Sequence, residues 1–411
     1  MQRAVLFGLA GFLLARALPA PAADLTLTGA VEQAVRDNPE LRSLRARWEA
    51  MRERPAQARA LPNPMFVYGG MDLADGGEWP DTAEKRFIVE QEFPWFGKRG
   101  LRRELAMEDA ETMRQELEAM TQDVVMQVKE NVFDLQAVQR ALALTRDEEG
   151  VLQRMQTIAE TLYAAGERSQ QDVIKAQAEI TMLTRKQLEL QAQETTLKAK
   201  LNSLLNRRAD SPLVLAAAEL PGDPEAELPA LFALAEKARP EIRGAESQIR
   251  RSRAERDLMK KEFRPDVRLG LEYRNMAEED DLAMFTIGFD LPVQLSKYRA
   301  GVREANNMIE AGRAALEAAR REASFDVQDA HFKLLTARRT LDLYRSELIP
   351  QAESRFVASE AGYRAGQADF MDLLESERFL LEARIMAAMA EGAVGMQAAR
   401  LERAVGRETR P

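Results

Sequence analysis

The chain is written twice. Tyr163-Ala-Ala-Gly166 returns as Tyr363-Arg-Ala-Gly366, Asp172 as Asp372, and the stretch Leu201–Arg207 as Leu401–Arg407, at an offset of about 200 residues. Upstream, Asn38-Pro39-Glu40-Leu41 matches Arg239-Pro240-Glu241-Ile242, and Pro64 matches Pro265. Coincidences in one order and at nearly one offset mark a duplication, and the period is far too long for a solenoid unit. Whatever one half builds, the other must build again. The chain divides into 1–22, a first repeat 23–207, a linker 208–229 and a second repeat 230–411.

Each repeat reads as helix, strand, loop, strand, very long helix, sharp turn, long helix. Leu25 to about Ala60 is helical, with Pro39 and Pro55 as its breakers. Gly97 to Ala165 contains no proline, and Leu117, Met120, Val124, Val128, Leu135, Val138 and Leu142 recur at three- and four-residue steps. A helix of about 68 residues is roughly 100 Å long, a rod that no compact domain of this size houses. After Gly166 a second helix runs to about Arg207, with Leu190, Leu197, Leu201 and Leu204 on one stripe. Stacked end to end, the N-terminal and returning helices match the rod. Pro212, Pro221, Gly222, Pro224 and Pro229 make 208–229 a linker, expected to lie against the outside of the bundle.

Two short alternating runs sit between the helices of each repeat. Val267, Leu269, Leu271 and Tyr273 interleave with Arg268, Gly270, Glu272 and Arg274; Phe285, Ile287, Phe289 and Leu291 interleave with Met284, Thr286, Gly288 and Asp290. In the first repeat Phe87, Val89 and Phe93 alternate with Ile88, Glu90 and Glu92, and Met65 to Met71 is a less regular partner. Period two sends one set to each face, which predicts strands at about 65–73, 85–93, 266–274 and 283–291. One apolar and one polar face fits a membrane strand. A half-buried soluble hairpin is the alternative for any single run; four runs in two equivalent places favour the membrane.

Four strands cannot close a barrel, and lipid does not tolerate open strand edges. The wall must be pooled among copies. Two copies give an eight-stranded barrel filled by its own side chains, so a pore requires three or more. Pro64 and Pro265 precede the outgoing strands, and Pro94 and Pro292 end the returning ones. A proline there loses no ladder bond and starts a helix well, so these four mark barrel–helix junctions. Trp95 and Phe96, with Lys98 and Arg99, then fall at a membrane–water interface. The hairpin loops are acidic (Asp72, Asp75, Glu78, Asp81, Glu84; Glu278, Glu279, Asp280, Asp281), which is ordinary for a solvated loop and also suits a cation-attracting mouth.

Export is written at the start. Arg3, the apolar stretch Ala4–Ala15 and Ala20-Pro21-Ala22 read as a signal peptide cut after Ala22 or Ala23. Its loss removes Arg3 and Arg16 and no acid, taking the formal charge from −9 to −11. An acidic chain without a long basic run offers no footing for nucleic acid. There is no cysteine for a disulfide, a thiolate site or a lipid anchor, and the single His331 reads as an interior or lining residue. Beyond the signal no apolar run is long enough for a transmembrane helix.

With these features in place, the sequence resembles the TolC-like outer-membrane factor family across essentially the whole mature chain. The resemblance rests on the duplication, the hairpin placement, the junction prolines and the repeated Tyr-x-x-Gly-x-x-x-x-x-Asp turn. Phe93-Pro-Trp-Phe-Gly-Lys-Arg-Gly100 is similar to the branch serving heavy-metal resistance pumps of the resistance-nodulation-division (RND) type. The resemblance implies a mainly α chain with a membrane β-barrel: a homotrimer with a twelve-stranded β-barrel in the outer membrane and a twelve-helix α-barrel in the periplasm. It implies no catalytic site and no cofactor. The implied partners are outer-membrane lipid, a periplasmic adaptor (membrane fusion) protein and an inner-membrane RND-type transporter.

Within that family the two turns are hairpin tips, so Ala165, Gly166, Glu167, Ala365, Gly366 and Gln367 are implied to border the grooves that receive the adaptor. Asp372 and Glu375 stand where the family places a constricting acidic ring, and Tyr363 where a tyrosine holds the closed state by bonding an aspartate, here Asp172. One departure is Ala368, where family members often carry an arginine or similar polar latch. Asp372 and Glu375 lie about one helical turn apart and share a face; three copies bring six carboxylates to one constriction. A drug-efflux or type I secretion duct shares the architecture, and fold alone does not separate them. A soluble periplasmic coiled-coil adaptor shares the long helices but has no use for four one-sided strands. Methionines such as Met107, Met113, Met120 and Met126 sit at helical spacing and read as packing. No phosphate loop, serine elbow or ligand cluster suggests an enzyme.

Overall fold

The computed structural model describes residues 25–71, 84–222, 227–276 and 280–406. The export-signal reading of 1–22 and the loop acids Asp72, Asp75, Glu78, Asp81, Glu278 and Glu279 lie outside the described residues. In the first repeat α1 (Leu27–Asp37) and α2 (Pro39–Arg59) lead into β1 (Met65–Met71) and β2 (Glu84–Phe93), then α3 (Lys98–Ala164) and α4 (Gln170–Leu204). The second repeat follows the same order with α5 (Leu228–Ala238), α6 (Pro240–Lys261), β3 (Asp266–Met276), β4 (Leu282–Asp290), α7 (Leu295–Leu343), α8 (Ile349–Arg364) and α9 (Phe370–Val405).

Prolines decide where the helices break. The N-terminal segment is two helices rather than one: Asn38 Oδ1 accepts from the Glu40 and Leu41 amides (2.9 and 3.3 Å), and Pro39 at the first helical position has no amide to lose. Pro55, expected to be a breaker, is carried inside α2. A π turn over Tyr344–Leu348 joins α7 to α8 immediately before Pro350, with the Ile349 amide reaching the Tyr344 carbonyl. Proline cannot donate, and its ring crowds the carbonyl four residues back; the wider turn takes up the mismatch. Proline-free α3 runs unbroken for 67 residues, about 100 Å.

α3 is the spine of the molecule. α1 and α2 cover its sheet-ward part and α4 the rest. The two coverings meet end to end, where Gln33 Nε2 and Asn38 Nδ2 donate to the Leu205 and Leu204 carbonyls, both at 3.4 Å. On its other side α3 packs against α6 and α9, which in turn pack against α7 and α8. The helical wall thus runs α2/α4, α3, α6/α9, α7/α8. The sheet repeats that sequence as β1-β2-β3-β4, every pair antiparallel. The linker crosses the wall: the Leu25 amide donates to the Val214 carbonyl (3.0 Å), Gln136 to that of Ala216 (2.8 Å) and Arg338 to that of Pro221 (3.1 Å).

The α3–α9 seam joins the two repeats. Gly395 of α9 lies against Phe133 so closely that a Cβ there would fall 2.2 Å from the ring. Around this contact run four ion pairs: Arg403–Asp123 (2.6 Å), Lys129–Glu402 (2.6 Å), Arg400–Glu130 (2.5 Å) and Arg140–Glu391 (2.8 Å).

Candidate functional site

The residues singled out in the sequence fall in three places: the sheet, its junction with the helices, and the two turns at the far end. Cross-strand register puts Phe66, Val89, Leu271 and Phe285 in one row of the sheet and Tyr68, Phe87, Tyr273 and Ala283 in the next, all on one face. Ring centroids of Tyr68 and Phe87 lie 5.0 Å apart, and those of Phe87 and Tyr273 6.2 Å. This face is bare, with Phe66 and Phe285 each 64% exposed. A contiguous apolar surface of this kind calls for lipid or a partner. The opposite face carries charge arranged in pairs: Arg86–Glu272 (2.9 Å), Arg274–Glu84 (3.6 Å) and Arg268–Asp290 (3.1 Å). Among the described residues β1 and β4 each have one strand neighbour, so each leaves one edge unpaired.

At the junction, Pro64 and Pro265 stand directly before β1 and β3, Pro94 directly after β2, and Pro292 just past β4. Lys98 corrects the sequence reading. Rather than reaching for an interface it is 1% exposed, held by Glu262 (3.0 Å), Asp266 (2.9 Å) and the Arg264 carbonyl (3.2 Å). Asp266 also accepts from the Trp95 amide (2.6 Å). A buried cation satisfied on every side ties the first repeat's helix start to the second repeat's strand start. Phe96 does remain bare, and the Arg99 side chain donates to the Arg59 carbonyl (2.7 Å).

The turns share one backbone. Gly166 and Gly366 have φ of 76° and 73°, a left-handed conformation that glycine adopts without strain. The Glu167 amide donates to the Leu162 carbonyl (2.9 Å), as Gln367 does to that of Gly362 (2.8 Å). Ala165, Gly166, Glu167, Ala365, Gly366 and Gln367 are all exposed.

The side chains around the turns diverge. Tyr363 is buried, its ring centroid 5.3 Å from that of Phe370, and the Arg168 guanidinium lies 5.1 Å over it. Arg168 also donates to the Tyr363 and Ala368 carbonyls, both at 3.4 Å. Asp172 is buried beside Tyr363; burial first, then the Asp172 charge, raises the phenol's pKa. The phenol oxygen nonetheless has no hydrogen-bond partner of ordinary geometry, so the structure brings Tyr363 and Asp172 together without a well-formed bond. Asp372 and Glu375 are exposed on one face of α9, and both have local partners. Asp372 closes a capping box with Asp369, accepting from its amide at 3.4 Å, and Glu375 lies 3.7 Å from Arg355.

Sequence reasoning missed Arg168, although the repeat itself pointed to it: Arg168 stands two residues after Gly166, where the second repeat has Ala368 after Gly366. His331 is half-buried with its ring against Phe332. Met107 is exposed rather than packed, whereas Met120 packs against the core. Among the described residues no three His, Cys, Asp or Glu side chains are grouped to hold a metal ion, and no helix is long and apolar enough to cross a membrane.

The model of the outer membrane efflux protein family matches residues 30–207 and 231–407, one match to each repeat. The cobalt-zinc-cadmium resistance protein CzcC of Cupriavidus metallidurans is 23% identical over 389 residues, covering 94% of this chain and 91% of its own. The outer-membrane channel OprN superposes with a TM-score of 0.79 at 21% identity, over 94% of this chain and 91% of that one. CusC superposes with a TM-score of 0.79 at 16% identity, over 93% and 92%. The Neisseria gonorrhoeae channel MtrE, in its open state, gives 0.77 at 18% identity, over 94% and 90%. With both repeats matched and the fold shared nearly end to end, this chain belongs to the outer membrane efflux protein family.

Proposed function

We propose that three copies of the chain form a passive efflux duct, their sheets joined edge to edge as a twelve-stranded barrel in the outer membrane. The helical walls continue it as a twelve-helix tunnel through the periplasm. The observation that carries this reading is the four-stranded sheet with a bare apolar face and two unpaired edges. Backbone groups in lipid must all be paired; two copies make a barrel without a duct, and three make one with a lumen. The paired charges of the opposite face then line the water. The flanks α2/α4 and α7/α8 meet their counterparts on neighbouring copies in the same order as the strands.

At the far end, Asp372 and Glu375 from three copies ring the opening. An adaptor seats around Ala165–Glu167 and Ala365–Gln367, passing on cargo from an inner-membrane RND-type pump. The cargo is metal cations, a reading supported by the likeness to a cobalt-zinc-cadmium resistance protein and by the Phe93–Gly100 stretch. A detergent-dependent, cross-linkable trimer in the outer-membrane fraction is expected, and a water-soluble monomer would end the proposal. Deleting the gene should sensitise cells to cobalt, zinc or cadmium; sensitivity confined to drugs would replace the cargo and keep the duct. In single-channel recordings Asp372→Asn with Glu375→Gln should weaken block by divalent cations, and unchanged block removes these acids from the ring.

A further inference from the structure

Opposite charges close the α3–α9 seam around Phe133, but nearer the turns the same seam brings two acids together. Glu148 of α3 and Glu377 of α9 are 5% and 3% exposed, on facing stretches of the seam between the Arg140–Glu391 pair and the cluster of Met155 with Leu373. Glu148 Oε1 and Glu377 Oε2 are buried and find no donor. The surrounding charges have partners of their own, although the charges of Arg384 and then Arg154 still pull Glu148 downward against its burial. On α9, Arg384 binds Glu353 of α8 (2.9 Å), and Arg378 binds Glu179 of α4 (2.5 Å). On α8, Arg364 binds Glu360 (2.6 Å); on α3, Glu149 accepts from Gln187 of α4 (3.1 Å).

Two carboxylates confined together in a buried seam repel each other, and one proton between them relieves the repulsion. We propose that Glu148 and Glu377 hold a single shared proton, and that this proton fastens the two repeats to each other in the turn-ward half of the wall. A groove of about 490 Å³ lined by Arg154, Glu353, Glu377 and Arg384 runs beside the pair and gives the proton a route to water.

The direction of the pH effect follows. Burial, and then the bond and charge of Glu377, push the Glu148 carboxyl up to about 9. The folded chain therefore keeps a proton that the unfolded chain has surrendered. The pair's contribution to stability is full in acid, drains as pH rises above the ordinary carboxylate range, and is spent above about 9. Acids held low by hydrogen bonds from arginine, such as Glu111 with Arg114 and Asp257 with Arg256, have the opposite sign. Their stabilisation is present above that range and is lost only as pH falls; Asp134, raised chiefly by its burial on α3, shares the sign of the Glu148 pair, so the comparison of native and variant chains is what isolates the shared proton.

Two measurements on the full-length protein in detergent test this, and neither depends on conduction or cargo. Infrared spectra at neutral pH should show the carbonyl band of a protonated carboxylic acid that disappears at about pH 10 and is missing from Glu148→Gln and Glu377→Gln. The native unfolding midpoint should fall by about 5 °C between about pH 6 and pH 9, and both variants should fall clearly less. No such band in the native protein at neutral pH overturns the proposal, as does the same pH slope in native and variant chains. If a variant does not fold, the native band and its loss with rising pH decide the matter.

Discussion

Tyr163 and Tyr363 occupy the same position of the repeat and have opposite fates: one is 47% exposed, the other 2%. The turns beneath them superimpose in their hydrogen bonds and in the glycine that ends each helix. What differs is the company. Tyr363 has Phe370 beside it and Arg168 over it, both supplied by the chain itself, whereas Tyr163 stands open on the outer side of its own turn. The same division runs along the return helices, where α9 buries half of its 36 residues and α4 only six of its 35. Duplication copies backbone geometry; neighbours then decide which copy becomes interior.

The sharpest break of that comparison is truncation. Tyr363→Ala should cost about 3–5 kcal/mol in thermal unfolding, as removal of buried aromatic rings does, against about 0.5 kcal/mol or less for Tyr163→Ala. Equal losses would mean that the two turns are not distinct. The arginines come next. Arg168→Ala forfeits a cation–π contact and two long hydrogen bonds joining the turns, about 1 kcal/mol. Arg364→Ala removes only a one-turn pair with Glu360, within about 0.5 kcal/mol. A cost no greater at Arg168 than at Arg364 would show that the turns are not joined by this guanidinium. The smallest effect is the most discriminating. With its phenol oxygen unpartnered, Tyr363→Phe should change stability by less than about 0.5 kcal/mol. A loss well above that reveals a well-formed bond to Asp172.

Periodicity and punctuation make much of the fold legible in the sequence alone. The alternating runs point to all four strands, the missing prolines to α3, and the repeat to both turns, because each is a local property of spacing or of a glycine's backbone. Contacts between residues far apart in the chain were not legible. Glu148 and Glu377 each look like a solvated helix acid until α3 and α9 are laid side by side. Lys98 looks like an interfacial anchor until Glu262 and Asp266 arrive from the other repeat. The split at Asn38 and the π turn before Pro350 were half-written: proline announces a disturbance, but not whether the helix caps, widens or passes through, as it does at Pro55.

The unfilled margins of β1 and β4 carry a cost that precedes any transport. A bare strand margin accepts whatever strand drifts past, and aggregates begin in this way. In the proposed trimer, a newly made copy needs escort or quick company until its siblings' strands cover those margins.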